Sequence, residues 1–491
     1  MAFIFIESLV ALISGYLLWI TLTKIATPEI IGTSSTVISI SIIFSTIATI
    51  GIPVGVSRFL AKGFYERRIE EVKIFVKNSL ILVSLGIIVS SVVLFIINKW
   101  IYVTLDQTLI IFAMILIGSH TINKLLNSIV VASLKTKIIP KIMAVASSMK
   151  IILVICLVLM NIGSVGVLIG YASFEILTSI HLGIVVTRMT RNKSIGSSYL
   201  DVNNSFKMIL DASIPSWIPK LITLLSGANL GTIIVFGSSG SAEAASYFLS
   251  FTISLAVFSI VLPLFTVAYP ALSAMNDGRK RLTWRIIKIS MIISIPLSSS
   301  IFFYSDDVIG LLGSHYADSS LLLRLFLIAI FPNSISLMIG QLVYAYGNYR
   351  QVLYIGLASS ITTTLLYLVL VPILGSTGAA TSYLVGSIGG FTMSTIISKK
   401  IGMKLHWNVL CLISIISIVP AFIYSYLQLN FIVGIIITLL TSYIIFFKFR
   451  IISKSDVDDT LNVLPRGIVR PISKIVHKVG ELLNSDYQKD M

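Results

Sequence analysis

The stretch IGIPVGVSRFLAKGFYERRIEEVK, residues 50–73, carries the two signals that decide the fold of this chain. It begins as the end of an apolar run that contains a Gly-Ile-Pro turn, and it then passes into a dense cluster of charges, with Arg58 at the boundary. An apolar run that ends in positive charge is typical of a helix that crosses a membrane and ends on its cytoplasmic side.

The same alternation recurs along the chain. Of its 491 residues, 56% are hydrophobic and only 11% are charged, which excludes a soluble domain. Apolar runs of about 20 residues, enough to cross about 30 Å of hydrocarbon as a helix, follow one another to about residue 449. The sequence therefore predicts an all-α polytopic membrane protein with about fourteen transmembrane helices, near 5–24, 34–57, 74–97, 107–132, 138–161, 164–187, 209–236, 243–270, 284–304, 319–346, 351–373, 376–398, 406–427 and 429–449.

Basic residues set the expected orientation. They cluster in every second connection and in the C-terminal tail, whereas the alternate connections hold little beyond Lys24 and Lys99. By the positive-inside rule, both termini are predicted to be cytoplasmic. The net charge of +16 is then explained by topology and by anionic lipid headgroups, and it indicates no nucleic-acid partner.

Two pairs of landmarks indicate an internal repeat. The motif G-S-x-G opens a predicted span at Gly163 and again at Gly375, an offset of 212 residues, while Pro53 and Pro263 stand 210 residues apart, each ahead of a basic connection. Many transporters are built from repeated bundles with a site between them. We expect a six-helix lobe at 1–190, a cytoplasmic linker at 191–208, and a second six-helix lobe at 209–400. Two further helices at 401–449 and an amphipathic cytoplasmic tail at 450–491 complete the predicted organisation.

These landmarks carry a family resemblance. The run GIPVGVSRFLA before a charged loop, the GSVG and GSTG openings, and the tail ISKSDVDDTLNVLPRG resemble the Wzx-type polysaccharide-biosynthesis flippases of the multidrug/oligosaccharidyl-lipid/polysaccharide exporter superfamily. The resemblance implies two lobes around a central cavity, alternating access in a prokaryotic plasma membrane, and a lipid-linked saccharide as cargo. Arg58 matches an arginine that recurs in that family after the Gly-Pro turn.

Polar residues inside the predicted spans are the candidate site, because each is costly in hydrocarbon unless it faces a cavity or a partner. Span four carries a polar stripe at i, i+3, i+4 and i+7, which places its members on one helix face: His120, Asn123, Lys124 and Asn127. The stripe indicates a wet lumen. A helix pair joined by polar side chains, with Lys124 extended to the cytoplasmic surface, is the alternative.

Three more charged residues lie within spans. Lys150 is deep in span five, where a lumen role is favoured, and Glu175 in span six is its natural counter-charge, or that of Lys124, or a proton carrier. Lys220 follows Pro215 and Pro219, which are expected to interrupt the start of span seven and expose backbone polar groups.

Such cations suit a phosphate that must cross the apolar region, since lysine and arginine stabilise phosphate by charge-assisted hydrogen bonds. Arg58, near the cytoplasmic end of span two, is then either a first contact for the phosphate or a membrane anchor. The sequence contains no G-x-x-x-x-G-K-[ST] loop, so we expect energy from an ion gradient, with a proton or sodium as coupling ion, from the membrane potential, or from cargo consumption. No catalytic residue, metal site or cofactor is predicted.

Two other classes stay open. A drug or cation antiporter of the same superfamily would be expected to use a dominant buried carboxylate, and the excess of Lys and Arg over Asp and Glu inside the spans disfavours it. A membrane glycosyl transferase or ligase would need carboxylates or histidines in an external loop. Only 304–318 offers them, with Asp306, Asp307, His315 and Asp318, and a solvated loop is the simpler interpretation.

Overall fold

The computed structural model describes residues 2–98, 105–191 and 202–452, and these ranges contain helices but no strand. Twelve of the described helical segments are long and apolar enough to cross a membrane, which supports a multi-pass membrane protein. The predicted amphipathic tail and residues 192–201 of the predicted linker lie outside the described residues. Helix formation is already under way at Val202, within the predicted linker.

The described residues contain seventeen α-helices. They are α1 (Ala2–Ile25), α2 (Pro28–Ala48), α3 (Ile52–Tyr65), α4 (Ile69–Asn98), α5 (Gln107–Ala132), α6 (Ile139–Leu159), α7 (Gly163–Thr190), α8 (Val202–Leu225), α9 (Ala228–Ser239), α10 (Ser241–Ser259), α11 (Leu262–Ala274), α12 (Arg279–Phe303), α13 (Ser305–Gly310), α14 (Ser320–Ala345), α15 (Tyr349–Lys400), α16 (Trp407–Tyr426) and α17 (Phe431–Lys448).

The chain divides into two compact units. Unit 1 comprises 3–248 and 366–379, and unit 2 comprises 249–365 and the residues from 380 onward. Unit 1 contains a buried core of aliphatic side chains from α3, α4, α5 and α7, among them Ile52, Val83 and Leu125. Unit 2 has its own core, built mainly by α11, α12, α14, α16 and α17. Each unit thus buries an apolar core of its own.

The predicted span 34–57 is two helices. Between α2 and α3, Ile50 and Gly51 both have positive φ, 47° and 72°, and Pro53 then stands in the first turn of α3, where its missing N–H costs nothing. The Ile50 amide bonds back to Ile47, so the carbonyl of Thr46 loses its helical donor, and Trp217 Nε1 of α8 donates to it at 3.0 Å. Arg58 therefore lies in the middle of a separate helix and not at the end of span two.

The predicted spans 351–373 and 376–398 are two helical segments that meet at a kink, and they are numbered together as α15, of 52 residues. Its helical path is interrupted at Gly375, where φ is 56° and ψ is −135°, a conformation suited to glycine. Gly163, its counterpart in the predicted repeat, also has positive φ, at 64°. That the chain crosses the membrane fourteen times remains a prediction.

The expectation that Pro215 and Pro219 interrupt the start of span seven is wrong. α8 runs without a break from Val202 to Leu225, through both prolines, and the next helix begins only at Ala228. A proline in a helix removes one backbone hydrogen bond, and the helical turns on either side can carry the helix past that loss. Lys220 is consequently a side chain on a continuous helix.

Candidate functional site

In unit 1, α5 and α7 bring a buried carboxylate against the polar stripe of span four. The Glu175 side chain, only 8% exposed, has its Oε1 at 2.7 Å from His120 Nδ1, and its Oε2 accepts a hydrogen bond from Asn123 Nδ2. Asn123 Nδ2 also donates to Thr178 Oγ1 at 2.9 Å. Both carboxylate oxygens are thus held by residues one turn apart on α5.

Lys150 of α6 is the second buried charge of this region. Its side chain is 6% exposed, and its Nζ lies 4.6 Å from the ring centre of Tyr171 and 4.8 Å from that of Phe174, both on α7. Two aromatic faces stabilise a desolvated ammonium through their ring quadrupoles. Lys150 makes no direct ion pair with Glu175 within the described chain, yet the two charges attract each other over a longer distance.

Two further cations act on the same carboxylate region. Lys124, half-buried on α5, attracts Glu175 and is repelled by Lys220 of α8. Lys220 is exposed in the described structure, and Asn127 lies half-buried one turn beyond Asn123. The structure therefore brings His120 and Asn123 into contact with Glu175, while Lys150, Lys124 and Lys220 interact with this region through their charges.

The charges of this cluster do not cancel. One carboxylate faces two lysines, and His120 adds a third positive charge whenever it is protonated. A surplus of positive charge in an apolar setting is costly unless an anion approaches it. The cluster can consequently bind an anionic group, or it can exchange a proton between Glu175 and His120.

Tyr171 and Phe174 of α7 complete the site beside the predicted Glu175, and these two aromatic residues were missed at the level of sequence. Tyr171, Phe174, Glu175 and Thr178 recur at i, i+3, i+4 and i+7, the same spacing that singled out the stripe on span four. Applying that spacing to span six would have found them. Trp19 of α1, which contacts the Tyr171 ring at 6.0 Å between centroids, carried no comparable signal.

Arg58 stands apart from this cluster. It is exposed on α3 and has no ion-pair partner among residues 2–98, 105–191 and 202–452. Of the charges that follow it, Arg68 lies 2.6 Å from Glu66, and Lys73 lies 2.6 Å from Glu70. An exposed guanidinium without an ion-pair partner in the described chain is available to an incoming anion.

Unit 2 contains an apolar cavity of about 430 Å³. Phe302, Phe331 and Phe391 contribute aromatic walls, and α12, α14, α15 and α16 each line part of it. Ser298 donates to the carbonyl of Ser294 at 2.6 Å, and Ser414 donates to that of Leu410 at 3.0 Å, so these hydroxyls are turned into their own helices. The cavity therefore presents hydrocarbon to its contents.

The acidic loop 304–318 of unit 2 folds as the short helix α13 followed by a 3-10 turn. Arg324 binds Asp306, with Nη2 at 2.6 Å from Oδ2, so one of the four candidate groups is engaged in an ion pair. No group of three or more His, Cys, Asp or Glu side chains suited to a metal occurs in the described parts of the chain.

Comparison with solved structures shows that several membrane proteins of known structure share this fold. The chain is similar to a lipid II flippase, MurJ, in an inward closed conformation, with a TM-score of 0.72 and 15% identity over 91% of this chain and 99% of that one. It is also similar to an inward-facing multidrug resistance MATE family transporter, with a TM-score of 0.57 and 14% identity over 79% of this chain and 99% of that one.

A third similar structure is a mutant form of the MATE transporter VcmN of Vibrio cholerae, with a TM-score of 0.54 and 16% identity over 82% of this chain and 95% of that one. No family model and no curated protein matches the sequence. At these identities the likeness establishes the fold alone.

Proposed function

We propose that this protein is a Wzx-type flippase that moves a polyprenyl-phosphate- or pyrophosphate-linked saccharide from the cytoplasmic to the outer leaflet of a prokaryotic plasma membrane. It works by alternating access for cell-surface polysaccharide or glycan synthesis. The proposal includes fourteen spans, two six-helix lobes with two appended helices, and cytoplasmic termini. It also includes Arg58 as the first contact for the phosphate.

The observation that carries the proposal is the surplus of positive charge around Glu175. Lys150 and Glu175 are the buried charges of the described chain, and Lys124 adds a second cation to them. A lipid-linked phosphate is an anion that must pass through the apolar region, and a lysine held among aromatic rings can meet it without first shedding a water shell. Glu175 serves as the counter-charge when cargo is absent.

The apolar cavity of unit 2 suits the other part of such a cargo. A polyprenyl chain is hydrocarbon throughout. It suits a cavity whose serine hydroxyls already bond to their own helices, because these hydroxyls need no hydrogen-bond partner from the cargo. A lipid-linked saccharide has both an anionic head and an apolar tail, so the charge cluster and the apolar cavity each support one part of the proposal.

The test follows a fluorescent polyprenyl-pyrophosphoryl disaccharide in liposomes that contain the purified full chain. Loss of signal to a membrane-impermeant quencher reports movement between leaflets. Lys150→Met keeps the length and apolar stem of the side chain but removes its charge, so we expect flipping to slow at least about tenfold, the equivalent of about 1.4 kcal/mol. Lys448→Met, at the exposed end of α17, is the matched control and should flip normally.

Two results would count against the proposal. If the wild-type protein does not move the probe, the cargo class is wrong. If Lys150→Met and Lys124→Met both flip it at the wild-type rate, the charge cluster is not the path of the phosphate.

An ion-coupled drug or cation antiporter is the second candidate, and one observation favours it. Glu175 is buried and bonded to a histidine, an arrangement able to take up and release a proton. MATE transporters with similar folds are described as multidrug resistance proteins. Glu175→Gln separates the two candidates: an antiporter would lose proton-driven export of a cationic dye, whereas a flippase would show no dye export even as wild type.

A further inference from the structure

Four tyrosines gather at one end of unit 2, where α11, α14 and α15 meet. Tyr344 at the end of α14 lies between Tyr269 of α11 and Tyr349 of α15, with ring centres 5.3 and 5.0 Å away and interplanar angles of 79° and 82°. Tyr346 follows in the turn between α14 and α15. Tyr349 is 60% exposed, so a ring held edge-to-face by its neighbour still offers a free face.

Arg279, the first residue of α12, is fixed beside one of these rings, that of Tyr346. Its Nε donates to the carbonyl of Met275 at 2.7 Å, its Nη1 donates to that of Ala345 at 3.2 Å, and its guanidinium lies 5.3 Å from the Tyr346 ring centre. A guanidinium has five N–H donors. Two are used by the carbonyls, and the other three have no acceptor among the described residues.

The choice of tyrosine is informative, because the aromatic residues that line the apolar cavity of unit 2 are all phenylalanines. The cavity described above is lined by Phe302, Phe303, Phe331 and Phe391. The four rings at this end of unit 2, of which Tyr346 lies next to Arg279, instead all carry hydroxyls. A planar ring with a hydroxyl stacks on the C–H face of a sugar and bonds to its hydroxyl groups, and a fixed arginine fork binds phosphate.

We propose that Tyr269, Tyr344, Tyr346, Tyr349 and Arg279 form a headgroup site that binds the glycosyl-phosphate part of the cargo, with the sugar on the tyrosines and the phosphate on Arg279. This inference rests on the proposed function. The site lies at the basic end of its helices, next to Lys280, Arg281 and Arg350, which is the cytoplasmic end in the proposed topology. It therefore lies on the side where the cargo is made, together with Arg58, the proposed first contact for the phosphate.

Saturation-transfer NMR on the full chain in phosphatidylcholine nanodiscs tests the site without transport. The probes are glucose 1-phosphate, N-acetylglucosamine 1-phosphate, free glucose and inorganic phosphate. We expect transfer to the sugar protons of both sugar phosphates, weaker transfer to free glucose, and competition by inorganic phosphate. Tyr349→Ala and Arg279→Gln should each weaken binding at least about tenfold.

Matched controls remove the same groups elsewhere. Tyr426→Ala deletes an exposed tyrosine of α16, and Arg188→Gln deletes an exposed arginine of α7, and both should bind the probes as wild type does. Equal transfer in Tyr349→Ala and Tyr426→Ala would mean that the tyrosines only anchor the chain at the membrane surface, and the inference would fall. Absence of any transfer with wild type would overturn it as well.

Adding phosphatidylglycerol to the nanodiscs distinguishes the two sources of phosphate. If this lipid displaces the sugar phosphates and the sugars contribute nothing to binding, Arg279 holds phospholipid and the inference fails. The liposome assay then separates this inference from the proposed function. Normal flipping by Tyr349→Ala and Arg279→Gln, with active wild type, rejects the headgroup site alone, whereas inactive wild type with intact sugar-phosphate binding rejects the flippase.

Discussion

The two units differ in which polar groups they bury. Unit 1 buries a lysine and a glutamate, Lys150 and Glu175, and holds them with aromatic rings, a histidine and an amide. In the described part of unit 2 no charged side chain is buried, and serines at its cavity turn their hydroxyls to their own helices. If the units descend from one repeat, the repeated sequence determines the helices of both units, whereas the buried charges of the described chain lie in unit 1.

The contrast predicts which single substitution lowers the stability of the protein most. The largest loss is expected from removal of the buried Glu175 carboxylate. Glu175→Leu removes the longer-range counter-charge of Lys150 and the hydrogen-bond partner of His120 and Asn123, and a buried charge left uncompensated costs about 3–5 kcal/mol. We expect a loss of about 4 kcal/mol in the free energy of unfolding, measured by denaturant titration of the purified protein in detergent.

Its control in unit 2 is Asp306→Ala, which opens the exposed ion pair with Arg324 and should cost at most about 1 kcal/mol. The double variant Glu175→Leu/Lys150→Met removes both charges and should regain much of the loss. If Glu175→Leu proves no more harmful than Asp306→Ala, the two charges of unit 1 are not energetically coupled.

The second prediction compares the two glycines of the predicted repeat. A Cβ on Gly163 would meet nothing within 4 Å, whereas a Cβ on Gly375 would lie 2.2 Å from Glu243 Oε2, which accepts a hydrogen bond from the Ser376 amide at 2.7 Å. Gly163→Ala should cost about 1 kcal/mol for its positive φ alone. Gly375→Ala should cost about 3 kcal/mol, since it adds steric overlap and weakens that hydrogen bond.

Melting temperatures of the two variants, measured side by side, test this. Equal shifts would mean that Glu243 moves aside without cost and that the interruption of α15 depends on glycine φ alone.

The helices were largely accessible to sequence reasoning, and the partners within the site were not. Apolar run length and basic loops locate spans because hydrocarbon thickness and membrane charge act on every segment alike. Helical spacing put His120 and Asn123 on one face, but it does not say what that face touches. The partner chosen by Glu175 was His120, not the lysines, since that choice depends on how α5 and α7 pack.

Two backbone features show the same limit. Pro53 signals the start of α3, yet nothing local in Ile50 announces a positive φ, which a β-branched residue tolerates only when its surroundings impose it. Pro215 and Pro219 led instead to a predicted helix interruption that the structure does not have. Proline lowers helix stability by an amount that the surrounding packing can offset. Trp217 is visible as a tryptophan, but its bond to the Thr46 carbonyl follows from the packing of two distant helices.

The third prediction contrasts a hydrogen bond to a charge with one between neutral groups. His120→Ala removes the 2.7 Å contact to Glu175 Oε1 in unit 1, and hydrogen bonds to charged groups are worth about 1.5–3 kcal/mol. Asn333→Ala removes the 3.2 Å bond to the Tyr383 hydroxyl in unit 2, for which about 1 kcal/mol is expected.

Denaturant titration of both variants gives the comparison directly. A cost for His120→Ala below that for Asn333→Ala would show that Glu175 does not depend on the histidine, and the proton exchange considered for an antiporter would lose its donor.

The smallest effect expected is also the sharpest comparison, because it changes one hydroxyl in each unit. Thr178→Val keeps the shape of the side chain but removes the acceptor of the Asn123 amide, so about 1 kcal/mol should be lost. Ser298→Ala removes a hydroxyl that, in the described structure, bonds to Ser294 of its own helix, and such bonds add little to stability, so the loss should be about zero.

Thr178→Val should also slow flipping, since Asn123 holds Glu175, whereas Ser298→Ala should leave the rate unchanged. If both variants behave alike in both assays, the hydroxyls of the two units play the same part, and the division between a charged unit and an apolar one does not extend beyond Lys150 and Glu175.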